Sequence, residues 1–168
     1  MKNYIIGLLF LALFCANCQS DPSANQDQEE IEVVNIQESM LGTWEVKYLK
    51  VEVESYQNED TSFVFEIQEN QWNQVYGVRP FRTFFSQDST FRTMRRSLDG
   101  QEIGEDRGLW RSFGDTLMMI QPNAVFQYKV EVDAGQAQWA GVIDWDYDGQ
   151  DDDTYFATYR YVGKTSNE

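Results

Sequence analysis

The chain of 168 residues contains no histidine. That absence removes Ser–His and Cys–His nucleophilic catalysis and every imidazole-held metal centre at once. Cysteine is scarce and misplaced for stability: Cys15 and Cys18 both lie in the first 20 residues, so the rest of the chain has no thiol, disulfide or cysteine-based metal site. Cations are few, with 13 Lys and Arg against 28 Asp and Glu and a net charge of −15. Phosphate backbones are bound by basic surfaces, so nucleic acid is excluded as a partner. There are three prolines, no convincing amphipathic helix, and a single long apolar run, residues 4–14, shorter than the ~20 residues a membrane-spanning helix needs. A catalyst built from what remains would have to use paired carboxylates. No pair stands apart from the general acidity, so the chain reads as non-catalytic.

What is present is a folding composition. Length fits one domain, and 42% hydrophobic with 15% aromatic residues argues for a packed core. The start is a separate matter. Met1-Lys2-Asn3 precedes the apolar run, and Cys15-Ala16-Asn17-Cys18 and then Gln19-Ser20-Asp21 follow it. A basic n-region before an apolar h-region is a secretory pattern, and the whole resembles a bacterial lipoprotein signal. The resemblance implies removal of residues 1–17, acylation of Cys18 and a lipid bilayer as partner. Multi-acyl anchoring holds because each buried CH₂ adds ~0.8 kcal/mol. The implied location is the bacterial cell envelope, as an outer-membrane lipoprotein facing the periplasm or the surface. The acids after Cys18 resemble the surface-export signals of Bacteroidetes-type lipoproteins. Residues 19–38 carry six carboxylates and no Lys or Arg. They read, as 18–39, as an acidic tether that has too little apolar surface to fold.

From Leu41 the pattern becomes short β-type runs. Candidate strands cover 43–53, 61–67, 79–85, 90–97, 107–113, 116–121, 125–132, 136–144 and 154–162, and turn pairs such as Asp99-Gly100, Gly114-Asp115 and Ala134-Gly135 separate them. The least regular stretch, 69–78, is open to a lid, a short helix or a loop. In 154–162, Tyr155, Ala157, Tyr159 and Tyr161 share one face, and Arg160 lies on the other. Neither face is cleanly polar, as in a closed barrel. The expected fold is all-β: an antiparallel up-and-down meander closing into a barrel of about 8–9 strands. It would occupy 40–163, with 164–168 as a tail.

Leu41-Gly42-Thr43-Trp44 gives that barrel a likeness. A Gly-x-Trp at the head of the first strand of a β-meander resembles the lipocalin superfamily. The resemblance implies that Trp44 plugs the closed end while an Arg of the last strand, here Arg160, packs across its indole as a cation–π pair. It implies a compact lipocalin-like domain with an apolar cavity, not a particular cargo. Phe81, Phe84, Phe85, Phe91, Trp110, Tyr128, Trp139, Phe156 and Tyr159 fall on candidate strands. They either line a cavity or fill the barrel.

Two charged features remain. Seven of the eight arginines lie between Arg79 and Arg111. They either offset the chain's own acids on the outside, or one points inward and holds a ligand carboxylate. The other feature is Asp144-Trp145-Asp146-Tyr147-Asp148-Gly149-Gln150-Asp151-Asp152-Asp153. With Asp144 as position 1, it resembles a D-x-D-x-D-G-x-x-D calcium loop, with Asp144, Asp146, Asp148, Gln150 through its carbonyl, and Asp152 as candidate ligands. Hard Ca²⁺ takes six to eight oxygens. Position 12 is Tyr155 rather than Glu, and strands flank the loop, so it is not an EF-hand. The competing reading is a solvated acidic hairpin. The tether and this loop together hold 12 acids and no base, and without them 16 acids face 13 bases. The sequence therefore favours a membrane-anchored lipocalin-like module for a small apolar or amphipathic ligand. The alternative is a filled barrel that meets a protein or glycan through its outer surface, with calcium at the loop.

Overall fold

Alternating apolar and polar residues dominate the chain from Leu41 onward, and the computed structural model, which describes residues 36–164, turns that alternation into nine strands. They are β1 (Gly42–Val53), β2 (Phe63–Ile67), β3 (Arg82–Phe85), β4 (Thr90–Arg96), β5 (Glu102–Phe113), β6 (Thr116–Ile120), β7 (Val125–Asp133), β8 (Gln136–Ile143) and β9 (Asp153–Gly163). Two short helices, α1 (Ile36–Ser39) and α2 (Gln71–Val75), and a 3-10 turn at Tyr56–Asn58 complete the elements. The signal segment, Cys18 and all of the tether before Ile36 lie outside the described residues. The last turn of the expected tether is a correction: Ile36–Ser39 is helical, and Ile36 and Met40 are fully buried.

All pairings are antiparallel, and β1 pairs with β9 as well as with β3, so β1 and β3 to β9 close an eight-stranded ring. The architecture is a lipocalin-like barrel with one extra strand. That strand is β2. The first half of β1 pairs with β3 through Gly42↔Phe85 to Glu45↔Arg82, and its second half with β2 through Leu49↔Ile67 to Val53↔Phe63. A simple nine-strand meander is therefore not formed. β2 leaves the ring at the open end, and residues 68–81, with α2, bridge the gap.

Side-chain parity explains the core. In β8, Ala137, Trp139 and Ile143 are buried, and Gln136, Gln138 and Ala140 face out. In β1 the buried set changes parity, from Trp44 and Val46 to Leu49, Val51 and Val53. The register slips between Val46 and Tyr48, and a bulge at Lys47 supplies the extra residue. The β7–β8 hairpin closes on Ala134 and Gly135, both at positive φ (45° and 78°), the geometry that matches strand twist in a two-residue turn.

The end nearest α1 is closed and filled. Trp44, Phe85, Trp110 and Trp139 are at most 2% exposed. Phe85 meets Trp110 edge-on at 5.1 Å, and the Trp44 indole donates to the Met40 carbonyl at 2.9 Å. Each buried indole contributes about 5 kcal/mol of gross transfer free energy, taking ~200 Å² at 25 cal/mol/Å². The expected Arg160–Trp44 pair is not made. Register sets Trp44 opposite Tyr161 and Glu45 opposite Arg160. Trp44 thus points inward against the Tyr161 edge (5.4 Å), while Arg160 points outward onto Glu45.

Candidate functional site at the open end of the barrel

Above the aromatic plug the barrel is hollow. A cavity of about 200 Å³ has Leu49, Phe81, Tyr128, Trp139, Tyr155 and Tyr159 in its walls. Of the nine aromatics expected to line or fill the barrel, Phe81, Tyr128, Trp139 and Tyr159 line it. Phe85, Phe91 and Trp110 fill the closed end, and Phe84 and Phe156 are on the outside. Both alternatives therefore hold, at opposite ends. Trp139 stacks on Tyr159 at 4.1 Å, and the hydroxyls of Tyr155 and Tyr159 share a hydrogen bond of 2.8 Å. Burial holds the phenols of Tyr128 and Tyr155 well above their ordinary range and raises Tyr159 to about 12. The three stay neutral donors and acceptors.

One arginine of the cluster does point inward. Arg95 lines the cavity together with Asp106, and the two form a bidentate pair, with Nη2 to Oδ1 at 3.1 Å and Nη1 to Oδ2. Its cross-strand neighbour is Gly104, where a Cβ would stand 2.9 Å from Arg95 Nε. The missing side chain leaves the space the guanidinium occupies. The expectation that an inward Arg would hold a ligand carboxylate changes accordingly, because Asp106 already answers that charge.

The cavity adjoins an apolar cleft of about 300 Å³ beneath α2. Phe65, Trp72, Tyr76, Val78 and Ile103 line it, and Leu49, Phe81, Arg95 and Trp145 belong to both spaces. The irregular stretch thus holds a short helix that covers the cleft as a lid would: α2 buries Trp72 against Phe81 (centroids 4.8 Å), and Tyr76 just after it lies against Phe65 (5.5 Å). Where the lid begins, an ion network holds it to the outer wall. Buried Glu45 accepts from Arg82 Nε at 2.7 Å and Arg160 Nε at 3.1 Å; Arg160 reaches Glu69 at 3.0 Å, and Lys47 reaches Glu69 at 3.2 Å. Burial alone would raise the Glu45 carboxyl, but the hydrogen bonds and charges of Arg82 and Arg160 outweigh it and hold the group below its ordinary pKa.

The Asp-rich loop joins β8 to β9 and serves two faces. Its aspartates turn toward the 3-10 turn. Gln57 and Asn58 sit at positive φ (55° and 60°), and their backbone N–H groups donate to Asp146 Oδ2 (2.6 Å) and Asp148 Oδ2 (2.9 Å). Asp144 accepts from the N–H groups of Asp148 and Gly149 at 2.9 and 3.0 Å. One oxygen from each of Asp144, Asp146 and Asp148 lies within 4.8 Å of the others. Of the other two expected ligands, Asp152 accepts from Ser55 Oγ at 2.8 Å, and the Gln150 side chain, though not the carbonyl expected to ligate, donates to Asn58 Oδ1. The residues between the aspartates, Trp145 and Tyr147, line the cavity. Asp153, fully buried, accepts the Trp145 N–H at 2.8 Å and so seats that indole. Reading the loop for its carboxylates misses this, although two aromatics, W-x-Y, set between the aspartates of an otherwise polar loop are the signal that carries it.

No known protein family matches the chain, and comparison with curated proteins returns no match.

Proposed function

We propose that the barrel is a non-catalytic binding module for a small amphipathic molecule at its open end, carried on a membrane by a lipid on Cys18 in the bacterial envelope. The observation that supports this reading is the cleft beneath α2, whose walls are apolar except for one charged residue, Arg95, at its junction with the barrel cavity. Volumes of about 300 and 200 Å³ suit a ligand at the small end of the usual pocket range of ~300–1,000 Å³. The apolar body would lie against Phe65, Trp72 and Trp145, and the polar end against the Arg95–Asp106 pair. Because that pair is already neutral, the fitting head group is uncharged or zwitterionic.

Titration with the neutral dye N-phenylnaphthylamine tests the site. Saturable dye fluorescence with quenching of tryptophan emission is expected, and Trp145→Ala should weaken it about tenfold, the ~1.4 kcal/mol of part of one aromatic wall. Equal binding by wild type and by Trp145→Ala would sink the reading. Native mass spectrometry of protein purified from its host would then identify the cargo. Cys18→Ser should release the protein from membranes, and persistent membrane association would remove the proposed anchor.

A second reading keeps one observation. The clustered oxygens of Asp144, Asp146 and Asp148 support calcium at the loop and a calcium-dependent contact with a protein or glycan. Millimolar Ca²⁺ should then raise the melting temperature of wild type and not of Asp146→Asn. Equal melting with and without Ca²⁺ would leave the loop as a self-satisfied hairpin.

A further inference from the structure

We propose that a second cleft, on the outer wall of the barrel, binds a compact oxyanion of the phosphate type through Arg79, Arg82 and Arg96. The cleft encloses about 430 Å³ between β3, β4 and the segment after α2, and Glu45, Asn73, Arg79, Arg82, Met94 and Arg96 are among its walls. Strand geometry gathers the cations. Arg82 stands opposite Met94, and Arg96 follows Met94 by two residues on the same face, ~7 Å along the strand. Met94, 3% exposed, forms the floor between them.

Three guanidiniums and one carboxylate line the cleft, and that carboxylate is committed; at its border Glu102 stands opposite Arg96 on the next strand and Asp99 feels the Arg79 charge. Glu45 is held by Arg82 on one oxygen and by Arg160 on the other. Among the described residues Arg79 and Arg96 form no ion pair. Arg79 is nonetheless fixed in place. Its Nε and Nη2 donate to the Leu98 carbonyl at 3.0 and 2.8 Å, and its guanidinium lies over Gly100. The Arg96 guanidinium has one hydrogen bond, from Nη2 to the Met94 sulfur at 3.8 Å, and sulfur is a weak acceptor.

The lining of this concavity is therefore predominantly basic and its guanidiniums are oriented, with the acids Glu102 and Asp99 at the border, in a chain whose net charge is −15. Guanidinium forks match tetrahedral oxyanions through paired N–H···O bonds. A single ligand carboxylate offers one charge and two oxygens. A phosphate offers up to two charges and enough oxygens for Arg79 and Arg96 together. The volume exceeds a bare phosphate, and Asn73 from α2 faces whatever the phosphate is attached to. That molecule is either a soluble phosphorylated compound or a phospholipid headgroup.

Calorimetric titration of the full chain with inorganic phosphate and with pyrophosphate at low ionic strength is the test. Saturable binding with Kd of ~1 mM or tighter is expected, weakening as salt is added. Arg79→Gln and Arg96→Gln should each reduce affinity about tenfold or more, the loss expected for a charge-assisted bond. Arg96→Lys should lose part of that, and Arg111→Gln, on β5 outside the cleft, should lose none. Flotation of the unacylated Cys18→Ser chain with vesicles of phosphatidylglycerol or phosphatidylcholine separates the sources: vesicle binding that falls when Arg96→Gln is added assigns the headgroup, and pyrophosphate binding without that dependence assigns a soluble ligand. The proposal is overturned if neither anion binds saturably and vesicle binding ignores Arg96, or if Arg111→Gln loses as much as Arg96→Gln.

Discussion

The glycine of Gly42-Thr43-Trp44 has a measurable physical task. Its φ is +113°, and a Cβ would stand 2.7 Å from both the Gly163 carbonyl oxygen and the Tyr161 ring. The start of the first strand can lie this close to the end of its partner, the last strand, only because that position has no side chain, and the same pairing sets Tyr161 edge-on against Trp44. The motif is thus a packing device at the closed end, with Tyr161 in the place expected for Arg160. Gly42→Ala should destabilise the fold by about 3 kcal/mol or more, since strained backbone and overlap with immobile atoms act together. A drop of more than ~6 °C in melting temperature is the corresponding readout. Gly114 also has positive φ (+59°) but open space around its Cβ position. Gly114→Ala should therefore cost only about 1 kcal/mol. Comparable losses for the two variants would mean that the contact with Tyr161 and Gly163 contributes nothing.

At the scale of elements, the two loops of the open end form one unit. The acidic β8–β9 loop supplies carboxylates, and the turn at Tyr56–Asn58 supplies backbone N–H groups, turned outward by the left-handed Gln57 and Asn58 into an anion-holding concavity. Asn58 and Gln57 side chains also donate to the carbonyls of Asp148 and Asp146, at 3.0 and 2.8 Å. Replacing Asp146 and Asp148 together with Ala should speed hydrogen exchange at the Gln57 and Asn58 amides by about tenfold or more, as each loses an acceptor worth ~1 kcal/mol or more. Exchange unchanged from wild type would mean that the loops are not coupled. Local pattern carried all nine strands, because each is dense in β-branched and aromatic residues. It failed where structure depends on a distant partner. Glu102 to Asp106 is poor strand sequence, and it extends β5 because Gly104 and Asp106 accommodate Arg95 across the sheet. The bulge at Lys47 and the departure of β2 from the ring are likewise set by pairing with β9 and β3, which no window of local sequence contains. The cavity was legible as a supply of aromatics but not as a place. Which end is hollow depends on α1 and Met40 closing the other.

For the whole molecule, charge separates the two faces of the barrel wall. Among the described residues the inside holds the matched pair Arg95–Asp106 and the buried Asp153, and the outside carries a network centred on Glu45 that ties β1, β3 and β9 to Glu69 at the start of the lid. This network gives stability a pH dependence with a defined sign. The folded-state pKa of Glu45 lies below its ordinary value, since Arg82 and Arg160 outweigh burial. The folded state therefore binds fewer protons than the unfolded state in that window, and stability rises with pH through it. The contribution is complete above the ordinary glutamate pKa of ~4.3 and is lost as pH falls through the lowered folded value. Protonating Glu45 leaves the guanidiniums of Arg82 and Arg160 facing each other across a neutral group. Urea unfolding between about pH 7 and pH 3 should show wild type losing more stability than Glu45→Gln, which is less stable at neutral pH by about 2 kcal/mol. That figure is below the range for a fully buried pair, because both arginines remain partly in water. The two curves should converge at the acid end. Parallel curves would locate the acid sensitivity in other carboxylates and leave the lid's attachment independent of Glu45.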